Sequence, residues 1–476
     1  MRFIMSVNIV WFRRDLRLSD NPALHNATQN GKPIIPLFIL DENTNSAGAA
    51  FKWRLGLSLE SLSFDLQRYN SKLILRKGTP LHVLKELKSI LGDINIFWNR
   101  LYDENSINRD TEIKSYFQAQ EVSVTSTEGM LLHSPWKTQT NSGSHYKVFT
   151  PFWRAISKQE VKQVLPKPNK LMKPSKWPDS DDLKEWNLGK EIGRGKEYLI
   201  EKVNVGEKGA KVGLDNFLEQ RLSNYAQARD RVDLTESSNL SENLAYGEIS
   251  AREIWYSAID HKDAEFNDKE MFLRQLAWRD FAWYLSYFSP HIIHSNWKAE
   301  WDHFPWRENE DELKSWKRGL TGQPIVDAGM REMYITGRMH NRVRMIAASY
   351  LTKHLLMDWR LGLKWFEECL IDWDPASNAM GWQWVAGSGP DASPFFRVFN
   401  PELQAKKFDP EGKYQMKYLG PSSSEKHESG IFYKMAPKSW NINEKSRPPS
   451  SIVDLKFGRD RALNSYSKFK KIIADL

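Results

Sequence analysis

Five short runs rich in β-branched and aromatic residues fall within the first 130 or so positions, and none follows about position 206. They are VNIVWF (7–12), IIPLFIL (34–40), KLILRK (72–77), INIFW (94–98) and VSVTS (122–126). Helical stretches separate them at about 51–69, 80–91 and 106–119. Strands separated by helices of this length pair in parallel, so the first part of the chain reads as a sheet covered by helices on both faces. No strand is followed by a phosphate-cradling GxGxxG or GxxxxGK[ST] loop. From about 134 the alternation stops. The segment VLPKPNKLMKPSKWPDSDD (164–182) is too rich in Pro, Lys, Ser and Asp for regular structure and reads as part of a linker. Beyond about 206 the pattern is helical and dense in tryptophan out to about 400. The tail at 420–450 reads as loop, and a last helix at 457–475 alternates Lys and Arg with apolar residues. The expected fold is therefore α/β: an N-terminal parallel-sheet, Rossmann-like domain (1–133), a long linker (134–205) and an all-α domain (206–476).

One helical run, MFLRQLAWRDFAWYLSYF (271–288), places Gln275, Trp278 and Arg279 at i, i+3 and i+4, hence on one face. A second, TGRMHNRVRM (336–345), does the same with Asn341, Arg344 and Met345. An amide, an indole and a guanidinium make an odd packing surface. Together these faces suggest a pocket for a flat ligand with polar edges. Composition adds limits. A net charge of +8 and a pI of about 9.1 fit either a solvated surface or a polyanionic partner. The lone Cys369 excludes an internal disulfide and fits a reducing, cytoplasmic setting, and with no CxxC or HExxH no metal site is expected. No run reaches the roughly 18 apolar residues of a membrane span, and the N-terminal apolar run leads into Arg13, Arg14 and Asp15, as a first strand rather than a signal peptide.

Six ordered motifs are specific enough to carry a family resemblance: WFRRDLRLSDNPAL (11–24), SSNLSENLAYGEIS (237–250), QLAWRDF (275–281), TGQPIVDAGMREMYITGRMHNRVRM (321–345), DWDPASNAMGWQW (372–384) and PFFRVFNPELQAKKFDPEGKY (394–414). In order and spacing they resemble photolyases and cryptochromes, most closely a class I photolyase that repairs cyclobutane pyrimidine dimers. The resemblance implies FAD, fully reduced and anionic in the active form, held in the all-α domain, and UV-damaged DNA as partner of a monomer with no obligate protein partner and no membrane. It places the FAD phosphates at Ser237, Ser238, Asn239, Leu240 and Ser241, with Tyr225, Phe272 and Arg279 as further contacts. Taken alone, that Ser/Asn cluster reads as a plain helix cap. The isoalloxazine is assigned to Asn341, Arg344, Asp372, Asp374 and Asn378, with Arg344 and Asp372 paired. Asn341 stands where plant-type cryptochromes carry Asp; a neutral amide can switch between donor and acceptor as flavin N5 gains or loses a proton, which favours repair.

By the same resemblance Trp382, Trp359 and Trp316 form an electron-hopping chain between the surface and the flavin. Gln275, Trp278, Met345, Trp384 and Asn341 face the lesion, with the two indoles cradling its rings. Arg229, Arg342, Arg397 and Lys407, with Lys406 nearby, hold the DNA backbone. A flipped-out dimer costs less than a normal base because it already stacks poorly. The chain departs from the class I pattern at Gln275, where Glu is usual and where (6-4) photolyases carry Gln; those, however, have a His pair near the flavin, and this chain has only His340, followed by Asn341. The antenna chromophore is left open: folate-binding relatives place a Glu near Ser106, which leaves a deazaflavin, another flavin or none. A (6-4) lyase and a blue-light photoreceptor are the alternative readings. The basic last helix, in place of a disordered extension, speaks against the photoreceptor.

Overall fold

The computed structural model describes residues 6–194, 196–234, 237–421, 428–443 and 450–475. Its sheet consists of β1 (Val7–Phe12), β2 (Ile34–Leu40), β3 (Ile74–Lys77), β4 (Ile94–Asn99) and β5 (Val124–Thr127), all parallel, in the order β3-β2-β1-β4-β5. Between the strands lie α1 (Pro22–Thr28), α2 (Ala49–Gln67), α3 (Pro80–Leu91) and α4 (Glu104–Gln118). Strict alternation sends Val10 and Phe12 into one core and Ile9 and Trp11 into the other. Every residue of β1 and β2 is buried, as in a sheet covered on both faces.

The stretch expected to be a linker holds a helix, α5 (Phe149–Ile156), which departs from the loop expectation. Phe149, Phe152, Trp153 and Ile156 recur at helical spacing and bury their side chains in the core of the helical half. The Pro- and Lys-rich residues after it are extended. There the Ile34 amide donates to the Met172 carbonyl and the Asp20 amide to the Leu165 carbonyl, so this segment is pinned along the α/β half. The helices that shape the site are α6 (Gly206–Gln220), α7 (Ser241–Tyr246), α8 (Phe266–Phe288), α9 (Pro324–Thr336), α10 (Asn341–Ser349), α11 (Trp359–Cys369), α12 (Pro375–Ala386) and α13 (Pro401–Phe408). Helix α12 packs against α8, α10 and α11, at the centre of this half. The tail read as loop contains α14 (Glu428–Met435), which buries Phe432 and Met435. The last helix is α15 (Leu455–Asp475). Residues 1–5, 422–427 and 444–449, which belong to the N-terminal and tail readings, lie outside the described residues.

Two contacts fix the helical half on the sheet. The Leu16 amide donates to the Tyr246 carbonyl at the end of α7, and Gly247 follows with φ +68. A Cβ on Gly247 would lie 2.0 Å from the Arg14 carbonyl oxygen, so only glycine allows this approach. Arg54 of α2, fully buried, reaches across to Glu242 Oε1 (2.5 Å) on α7 and to Glu248 Oε2 (2.7 Å). Among the described residues no helix is long and apolar enough to cross a membrane, and no group of His, Cys, Asp and Glu is placed to hold a metal ion.

Candidate functional site

A cavity of about 290 Å³ opens among α7, α8, α10 and α12. Of the residues singled out from the sequence, it brings together Tyr225, Ser238, Leu240, Ser241, Phe272, Gln275, Arg279, Asn341, Arg344, Met345, Asp372, Asp374, Asn378 and Trp382. Helical spacing explains much of this convergence: Gln275 and Arg279 are one turn apart on α8, as are Asn341, Arg344 and Met345 on α10.

The expected Arg344–Asp372 pair forms, with Arg344 Nη2 2.9 Å from Asp372 Oδ2 and 3.1 Å from Oδ1. Ser241 donates its hydroxyl to Asp372 Oδ2 (2.8 Å), which ties the first residue of α7 to the same carboxylate. Arg344 Nε donates to the Met339 carbonyl (2.7 Å), which fixes the guanidinium plane. Asp374 is partly committed elsewhere: Oδ1 caps α12 through the Ser377 amide (2.8 Å), and Oδ2 accepts from the Trp283 indole (2.9 Å). Asn378 donates to the Leu363 carbonyl (3.1 Å). Arg279 donates to the Met130 carbonyl (3.0 Å), so this cavity residue also anchors α8 to the segment after β5. Beside it, Asp280 accepts from the Leu132 amide (2.7 Å), and burial pushes its carboxyl up to about 7. Burial lowers the His340 imidazole to about 4, so the neutral ring caps α10 through the Arg342 amide.

Several expected residues stand differently. Ser237 and Asn239 are not on the cavity wall; the Ser237 hydroxyl bonds to Asn239 Oδ1 (3.0 Å). Trp278 lies off the cavity wall too, and Phe149 of α5 covers one of its faces in a flat stack, with centroids 3.8 Å apart and planes 8° apart. Trp384 is also off the wall, half-buried on α12. Gln275 accepts from Arg229 Nη2 (3.1 Å) and donates to the Met271 carbonyl (3.0 Å). Arg229 and Arg342 both approach Asp230, at 3.7 and 2.5 Å, so one carboxylate partly offsets their charge. Arg397, Lys406 and Lys407 are exposed. Trp382 and Trp316 meet edge to face with centroids 6.0 Å apart. Trp316, Trp359 and Trp382 are all buried, so a chain read as running to the surface has no surface end among the three. Trp306, only partly buried on the same core, was not singled out; sequence spacing carries no exposure signal. Trp373, Ser377 and Gly381 also line the cavity and were missed. A Cβ on Gly381 would meet nothing within 4 Å, so the glycine leaves open space at the wall.

A second cavity, about 340 Å³, lies beyond the C-terminal ends of β1, β2 and β4, where the strand order turns back. Ligands of open parallel sheets bind at such switch points. Trp11, Phe38, Arg13, Arg14, Ser106 and Arg109 line the sheet side; Trp283, Trp373 and Asn378 close the helical side. Arg109 holds Asp41 (2.7 Å) and lies over the Trp11 ring. Trp373 and Asn378 line both cavities, so the two are neighbours across a thin partition.

Known proteins place this architecture. Residues 8–170 match the DNA photolyase family model and residues 272–468 that of the FAD binding domain of DNA photolyase. A deoxyribodipyrimidine photo-lyase from Agrobacterium fabrum is 41% identical over 97% of this chain and 98% of its own. The crystal structure of a bacterial class III photolyase from Agrobacterium tumefaciens superposes with TM-score 0.90 at 40% identity, covering 98% of both chains. An archaeal photolyase from Sulfolobus tokodaii, solved with two FAD molecules, superposes with TM-score 0.80 at 30% identity, covering 97% of this chain and 100% of its own. The chain belongs to the DNA photolyase family. The class I expectation is corrected by the class III structure, to which the chain is similar along nearly its full length.

Proposed function

We propose that this chain is a light-driven DNA repair lyase that splits cyclobutane pyrimidine dimers, with reduced FAD in the cavity among the helices as electron donor. The observation that carries the reading is the convergence of Asn341, the Arg344–Asp372 pair, Asn378 and Gln275 on one cavity. The residues present suit FAD. Ser238 offers a hydroxyl for an anionic end, Asn341, Asn378 and Arg344 offer donors for a heteroaromatic edge, and Gly381 leaves room for a flat ring. FAD supplies, when bound and reduced, the electron that light promotes; the electron returns after the ring splits, so no net redox change occurs.

The chain's own residues bind and orient. Arg344 and Asp372 lock each other and fix the floor of the cavity. Gln275, whose oxygen already accepts from Arg229, keeps one amide N–H and one lone pair for the edge of a flipped-out pyrimidine. Trp278, backed by Phe149, offers its remaining face for stacking, and Met345 adapts to the gap between lesion and cofactor. Arg397 and Lys407 hold phosphates outside, with Arg229 and Arg342 nearer the mouth and shared with Asp230. In this reading residues 1–133 carry an antenna site at the sheet cavity, 134–205 connect, and 206–476 hold FAD and damaged DNA; the protein works as a cytoplasmic monomer.

Photorepair of defined oligonucleotides tests the reading. The purified protein under blue light reverts a cyclobutane dimer and leaves a (6-4) photoproduct intact; reversion of the (6-4) lesion alone overturns the assignment. The Gln275→Glu variant repairs the cyclobutane dimer about fivefold better, because a charge-assisted hydrogen bond to the lesion N3–H exceeds a neutral one by about 1 kcal/mol.

A further inference from the structure

Lys353 is a buried amine that the proposed mechanism leaves unused. It belongs to a π-helical turn, Tyr350–His354, which continues α10 beyond Ser349. Such turns are rare and recur at functional sites. The side chain is 1% exposed. Burial drives its pKa well below the ordinary lysine range, with no carboxylate to offset the cost. Its amine donates to the Ala386 carbonyl (2.9 Å), the last residue of α12, and lies 3.3 Å from the centroid of the Phe395 ring. A second lysine, Lys298, donates to the next carbonyl, Gly387 (3.3 Å). The end of α12 therefore meets two amine donors, which satisfy carbonyls that a helix C-terminus leaves open.

Phe395 belongs to the loop 391–400, which presents exposed Phe396 and Arg397 to solvent. That loop is tied to the same two helices: the Ser393 amide donates to the Trp384 carbonyl of α12 (3.0 Å), and the Phe399 amide to the Ser349 hydroxyl of α10 (3.3 Å). Lys353 sits between these ties. Ala348 and Val385, close to it along each helix, line the helical cavity. We propose that Lys353 is a positioning residue that holds the Phe396–Arg397 loop in register with the cavity, so that lesion recognition depends on it although it touches neither cofactor nor DNA. The ring contact and the Ala386 bond give this amine a fixed direction between α12 and the loop.

The inference rests on the proposed repair function, and one set of measurements separates the two. In Lys353→Met, which keeps the length and removes the donor, affinity for dimer-containing duplex falls about tenfold. Affinity for undamaged duplex stays within about twofold, and flavin content is unchanged. Phe395→Leu, which keeps an apolar group but removes the ring under the amine, shows the same selective loss should Lys353→Met fail to fold. A lower melting temperature with unchanged preference for damaged DNA, in either variant, overturns the positioning role. If the native protein itself shows no preference for damaged DNA, the functional reading fails instead.

Discussion

Trp373 and Asn378 face two cavities at once, and the two sides of that partition are built by different means. On the helical side several polar groups sit at turn spacing along α8, α10 and α12, and Arg344 of α10 is cross-linked through Asp372 to Ser241 of α7. On the sheet side no single element carries the site. Trp11 comes from β1, Asp41 and Arg109 arrive from separate connections, and the closing wall of Trp283 and Trp373 belongs to the other half of the molecule. A cavity made on helix faces can be read from a motif. One made where strand ends, loops and a foreign wall meet cannot be read that way.

The largest effect that would test this contrast falls on the joint between the two halves. Arg54 is fully enclosed between Glu242 and Glu248, and Arg54→Met leaves two buried carboxylates without it. Removing one partner of a buried ion pair costs about 3–5 kcal/mol. Denaturant unfolding should show a loss of that size, with both cavities impaired together; a change below about 1 kcal/mol would mean the halves are joined mainly by apolar contact. A smaller and one-sided effect is expected for Arg344→Leu. Asp372 loses its cationic partner, and flavin binding followed by fluorescence weakens roughly 30-fold, about 2 kcal/mol. Ligand uptake at the sheet cavity stays unaltered. The smallest effect lies on the other side. Arg109→Met frees Asp41 and uncovers Trp11, and uptake of added flavin mononucleotide at the sheet cavity drops roughly tenfold, about 1.4 kcal/mol. Flavin held among the helices is retained; its loss in this variant would show that the partition does not insulate the two sites.

How much of this could be read in advance follows from the same contrast. Strand alternation and helical period placed the parallel sheet and the helical half, since both are local, periodic signals. The pairing of Gln275 with Arg279, and of Asn341 with Arg344 and Met345, was legible because one helical turn guarantees proximity. The expected stacking role of Trp278 met a partner no spacing announces: Phe149 comes from α5, in a stretch whose Pro-, Lys- and Ser-rich neighbourhood hid an amphipathic helix. Helix α14 was hidden in the same way, by a polar tail. Ser237 and Asn239 were placed on the cavity by motif, but Asn239 takes a left-handed turn (φ 56) and the Ser237 hydroxyl bonds to its side chain instead. The depth of Trp316 is a tertiary property, set by α9, α10 and α11 closing around it. The sheet cavity itself was invisible without a glycine fingerprint, since arginines and indoles line it in place of a Gly-rich loop.

The shared partition has an optical consequence. A chromophore in either cavity would lie against Trp373 and Asn378, so a ring entering one side changes the polarisability and the hydrogen-bonding field felt on the other. The absorption maximum of one pigment then serves as a built-in gauge of whether its neighbour is in place. Colour becomes a readout of loading, available without any label.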